Sequence, residues 1–286
     1  MQDLALPIVL KDDVPAIRVL PQGNTAANAV IDLFEDAPNF PGAVILAFDS
    51  PLLASLADQD PVRKGKPSHG AFALLMTHTE LPAFLKTIAA APSTDISREW
   101  LTFSDAGKQV PEQLALLHAL PAPLVKGLGS LPVLARVHKT VSAQHTASGA
   151  PELTLLTQTL IERGQINACM VDPPQIRGEE DAPSADKPAP TCAWLVHNAG
   201  TADYSGSNLS AVITALSYFG SDIHPFKSAT NSVLQIGDLS IAMSLAMLAL
   251  TLVQAATQKA PAMCAEFSLE HGLTVGFVVP AAATAS

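Results

Sequence analysis

From Leu239 to Gln258 the chain carries no charged residue, and such a stretch belongs either in a lipid bilayer or in the interior of a folded domain. Ser240, Ser244, Thr251, Gln254, Thr257 and Gln258 interrupt it, too many polar groups for the roughly 20 predominantly apolar residues of a membrane span. The stretch therefore reads as a long buried helix over Gly237 to Ala256. Ala242, Ala246 and Ala249 allow close approach to a neighbour, and Leu245, Leu248 and Leu252 fill the core around them. A helix apolar on every side is a central element, not a surface one.

The segments before and after it alternate between helical and strand periodicity. Pro151 to Arg163 reads as a helix ended by Gly164 in the C′ position. Ile166 to Val171 and Cys192 to His197 read as strands and Ser207 to Tyr218 as a helix. Met263 to Leu269 and Leu273 to Val279 form a strand pair around Glu270-His271-Gly272. Between the first two strands, Asp172 to Pro190 is rich in Pro, Asp and Glu and is expected to be a loop outside the core. Val133 to Val141 reads as a further strand. This order implies an α/β layered sheet over residues 131–286.

The first part, 1–130, reads as an α/β region. Asn24-Thr25 caps a helix over Ala26 to Phe34, and a Pro/Asp/Gly turn cluster ends at Gly42. Ala43 to Phe48 and Ala71 to Met76 are continuous apolar runs, the pattern of strands covered on both faces. A basic loop over Pro61 to Gly70 lies between them, and Glu80 to Ala90 reads as a helix. Pro121 to Pro132 mixes Pro and Gly densely enough to mark the division between the halves.

A net charge of −10 argues against nucleic acid and against anionic membrane surfaces, because phosphate binding needs a basic footprint. Two Trp and two Tyr are too few for base-stacking platforms. Met1-Gln2-Asp3-Leu4 lacks the basic start of a secretory signal. Cys169, Cys192 and Cys264 each sit in an apolar run with no CxxC spacing, which fits buried thiols in a reducing compartment and neither a zinc site nor a redox pair. The localisation expected is cytoplasmic, with no cofactor and no metal.

GxSxG, GxxxxGK[ST], HExxH and GxGxxG are all absent. His138 and His145 are spaced unsuitably for one helical face and read as surface residues; His69 and His78 flank a strand without carboxylates nearby. Asp58, Asp60 and Asp95 are scattered loop carboxylates. The most informative stretch is His197-Asn198-Ala199-Gly200-Thr201, a histidine at a strand end before a Gly-Thr turn, where α/β sites are built.

That stretch resembles the His-Gly-Thr-Gly-Thr element of ketosynthases in the thiolase superfamily, where the histidine stabilises a thioester-derived oxyanion. Asn231 to Asp238, opening a small-residue helix, resembles the ketosynthase stretch carrying a Lys and a Gly-His pair. Here Val233 stands at the Lys position and Asp238 at the second His position. Acyl transfer of this class needs a thiolate at a helix N-terminus with basic partners, and none of the three cysteines opens a helix. A carboxylate at Asp238 opposes the negative charge that must develop. The resemblance, over roughly residues 150–280, thus implies a thiolase-like C-terminal half without catalytic residues.

Leu33-Phe34-Glu35-Asp36-Ala37-Pro38-Asn39-Phe40-Pro41-Gly42-Ala43-Val44-Ile45-Leu46, together with Ile236-Gly237-Asp238, is similar to the adaptor proteins that load lipase effectors in bacterial type VI secretion. This resemblance extends over most of residues 20–280. It implies a non-catalytic cytoplasmic adaptor whose partners are a phospholipase effector and the secretion spike protein. The competing readings are an enzyme of the thiolase class, or an inactive subunit that binds an acyl thioester or pairs with an active homologue.

Overall fold

The structure is a computed structural model that describes residues 26–36, 42–49, 68, 70–77, 133–144, 150–171, 192–199, 207–239, 242–268 and 272–281. The chain divides into two units, the larger holding 25–31, 45–74 and 134–286. The packing below is that of the larger unit.

Its frame is a six-stranded sheet in the order β3-β8-β7-β5-β6, with β4 also paired to β8. The strands are β3 (Ala135–Val137), β4 (Val141–Ala143), β5 (Trp194–His197), β6 (Ala229–Asn231), β7 (Ala262–Ser268) and β8 (Gly272–Pro280). β5 runs parallel to β6 and β7, whereas β3, β4 and β7 all run antiparallel to β8.

Strand alternation sorts the side chains between two cores. Leu195, Met263, Ala265 and Phe267 face one way and meet α2 (Ala150–Asn167) and α3 (Ser207–Tyr218). α2 offers Leu153, Thr157, Leu160, Ile161 and Gly164, a helical stripe, and Thr157 satisfies its buried hydroxyl on the Leu153 carbonyl at 2.6 Å. Trp194, Val196 and Cys264 face the other way, towards α5 (Met243–Gln258). On that side Ala47 and Phe72 also pack, from β1 (Gly42–Asp49) and β2 (Gly70–Thr77), which form a two-stranded sheet of their own. Helix, sheet, helix and strand pair thus stack around α5, and the class is α/β, layered.

Several expectations hold with small changes of boundary. The helix α3 has the expected ends, and the uncharged stretch does form a central buried helix. It begins at Met243 and not at Gly237, because Asn231 caps a separate short helix, α4 (Ser232–Ile236), that stops at Gly237 with φ 77°. α1 (Ala26–Asp36) runs two residues beyond Phe34. The expected strand over Val133 to Val141 is two short strands with a break at His138–Thr140.

Three expectations fail. Ile166 to Val171 is not a strand: α2 continues through Gly164 to Asn167, and Cys169, at φ 53°, makes the left-handed turn that stops it. Gly164 is not a cap. A Cβ there would lie 2.9 Å from Cε2 of buried Phe277, so glycine is what lets helix and sheet approach. β1 and β2 are covered on one face only; Leu46 is 70 % exposed and Phe48 66 %. The expected helix over Glu80 to Ala90, the loops over Pro61 to Gly70 and Asp172 to Pro190, and the division at Pro121 to Pro132 lie wholly or mostly outside the described residues.

Candidate functional site

The C-terminal ends of the parallel strands β5, β6 and β7 come together, the position at which open α/β sheets carry their ligands. In register, His197 pairs with Asn231 on one side and Ala265 on the other. Asn198 extends the β5–β7 ladder by side chain: its Oδ1 accepts from Phe267 N–H at 2.7 Å and its Nδ2 donates to the Phe267 carbonyl at 3.1 Å. Asn231 turns the chain into α4, its side chain accepting from Leu234 N–H at 3.2 Å. Ser232 donates its hydroxyl to the His197 carbonyl at 3.0 Å. Strand end, turn and helix start are one hydrogen-bonded unit.

His197 is 2 % exposed, and its Nδ1 accepts from Ala199 N–H at 3.3 Å, so the ring is a sealed bracket of its own turn. Gly200 and Thr201 lie outside the described residues. Val233 is 6 % exposed and belongs to the apolar cluster with Val196, Leu239, Ala242 and Met243. Asp238 is held by its backbone, the carbonyl accepting from Ser68 N–H at 2.9 Å.

Cys192 precedes β5, donates its backbone N–H to Ser221 Oγ at 2.9 Å, and has its thiol pushed up to about 12 by burial. Cys264 lies within β7; burial raises it too, and the charge of Glu266 adds to the effect. Cys169 is exposed in the turn after α2 and neither opens a helix nor sits in a strand. No group of three or more His, Cys, Asp or Glu among the described residues could hold a metal ion. No helix among them is long and apolar enough to cross a membrane.

A second place was missed from the sequence. His138, expected on the surface, has its Nε2 buried with no hydrogen-bond partner, beside a cavity of about 20 Å³ lined in part by Ala27, Thr140, Ser244, Cys264 and Glu266. That volume suits about one water, far below the roughly 300–1,000 Å³ of a ligand pocket. Little local to His138 signals it, since most of the lining residues come from α1, α5, β7 and β8. His69, His78, His145, Asp58, Asp60 and Asp95 lie outside the described residues.

No family model matches the chain, and no curated protein matches it in sequence. Among solved structures it is similar to an acetyl-CoA acetyltransferase from Syntrophomonas wolfei, at 12% identity and a TM-score of 0.35 over 56% of this chain and 34% of that one. It is also similar to a type II polyketide-synthase ketosynthase in complex with its acyl-carrier protein, at 11% identity and a TM-score of 0.47 over 89% of this chain and 56% of that one. The ishigamide ketosynthase/chain length factor gives 11% identity and a TM-score of 0.46 over 90% of this chain and 54% of that one. The chain thus spans about a third to somewhat over half of these proteins.

Proposed function

We propose that the protein is a non-catalytic adaptor that binds a lipase effector of the phospholipase class and delivers it to the type VI secretion spike in the cytoplasm. The observation that carries the reading is Val233. Where the resembling ketosynthase stretch has a lysine, this chain has a valine packed into the core beneath α5. A cationic head introduced there would be desolvated among apolar side chains, so the position serves packing and not charge stabilisation. The sealed His197 and the raised thiols of Cys192 and Cys264 agree with it. The similarity of residues 33–46 and 236–238 to the adaptor family supplies the partner class. In this reading the chain has an N-terminal region, 1–130, and a degenerate thiolase-like region, 131–286.

The test is co-purification of the full chain with a lipase and a spike protein encoded beside it, paired with an acyl-CoA turnover assay. Stable capture of the lipase and no turnover are expected. Turnover abolished by Cys169→Ala, Cys192→Ala or Cys264→Ala would overturn the reading in favour of a thiolase-class enzyme. Capture of an acyl-carrier protein in place of the lipase would favour an inactive ketosynthase-like partner.

A further inference from the structure

The outer strand of the sheet is broken by three residues. Val137 pairs with Val278 and Val141 with Val275, so His138, Lys139 and Thr140 stand opposite only Gly276 and Phe277, a bulge of three residues against two. Side chains replace the missing ladder bonds. Asn28 of α1 donates Nδ2 to the Thr140 carbonyl at 3.2 Å and accepts Thr140 N–H at Oδ1 at 2.7 Å. Asn167, at the end of α2, donates Nδ2 to the Lys139 carbonyl at 3.2 Å. The bulge therefore ties both helices to the sheet edge.

His138 is the residue inside this knot. Its ring bonds the backbone of Asn167, and Nε2 is left buried beside the cavity with no partner. A neutral ring presents only a lone pair there, at modest cost. A protonated ring places a charged N–H at the same point. Arg136 from β3 repels it, and Lys139 is the next cation along the chain. From β7, Cys264 and Glu266 line the cavity, and Glu266 Oε2 already accepts from Ser244 of α5 at 2.9 Å. α1 and α2 contribute the uncharged Asn28 and Asn167.

We propose that the His138–Thr140 bulge is an acid-sensitive latch: a proton on His138 Nε2 releases the bulge from α1 and α2 and loosens the outer strand, while the sheet interior stays closed. The proposal is independent of the adaptor reading. Burial, the leading influence, and Arg136 hold the ring below its ordinary 6.5, against the opposing bond to Asn167. The opened state therefore takes up the proton first. The latch is fully closed above 6.5 and gives way as pH falls below it towards the depressed value.

Amide exchange, corrected for the chemical rate, reads this directly. Between about pH 7.5 and about pH 5 Thr140 N–H should lose protection selectively, with β7 amides such as Met263 keeping theirs. His138→Gln should abolish the fall. No selective loss at Thr140 in the wild type, or the same loss in folded His138→Gln, overturns the proposal. Should His138→Gln not fold, titration of the wild-type imidazole by NMR decides: a ring that protonates at or above 6.5 also overturns it.

Discussion

Gly276 illustrates how much can depend on one missing methyl group. A Cβ on it would come within 2.6 Å of Thr140 Cγ2, and threonine, branched at Cβ, cannot swing that methyl away freely. Gly276→Ala should therefore cost about 1–3 kcal/mol in chemical denaturation. Thr140→Ser removes the obstructing methyl and leaves the backbone bonds to Asn28 in place, so the double variant should recover most of that loss. Simple additivity of the two changes would mean that the contact does not limit packing. The same residues explain what was readable at this scale. His197 was legible because its setting is local, a strand followed at once by a turn. His138 was not, because its burial depends on residues in α1, α5, β7 and β8, more than a hundred positions away in both directions.

Among the elements, α5 carries the strongest expectation. Leu248 is buried and lines the cavity of about 20 Å³, so Leu248→Ala enlarges a void already present and should cost about 2–5 kcal/mol by urea denaturation. Val253, on the same helix but 53 % exposed, should lose under about 0.5 kcal/mol as alanine. Equal losses would contradict the placement of the helix between two layers. α5, α3, β7 and β8 were legible from periodicity because each has one dominant pattern. β6 was not, since Ala229, Thr230 and Asn231 have no periodicity and are a strand only because β5 lies beside them. The end of α2 was misread for a related reason: Gly164 looks like a stop signal, and only Phe277 shows why a glycine stands inside the helix.

For the molecule as a whole, the three cysteines report on closure. In the native protein at about pH 8 exposed Cys169 should be alkylated first, because Cys192 is buried and the raised thiol of half-buried Cys264 keeps its thiolate scarce. Mass spectrometry should count one adduct in buffer and three in denaturant, in keeping with the cysteine total. Rapid modification of Cys264 in buffer would mean that the face under α5 is open. The layered α/β class was legible because long apolar and alternating segments follow one another in order; the depth at which each strand lies was not, as exposed Leu46 and Phe48 demonstrate. One consequence concerns synthesis. β8 is the strand to which β3, β4 and β7 all pair, and it is made after every other described strand. Until it leaves the ribosome, β3 and β4 lack the partner they have in the sheet, and α2 lacks Phe277, against which Gly164 rests. The nascent chain must therefore wait, apolar and incomplete, within reach of chaperones until β8 has been made.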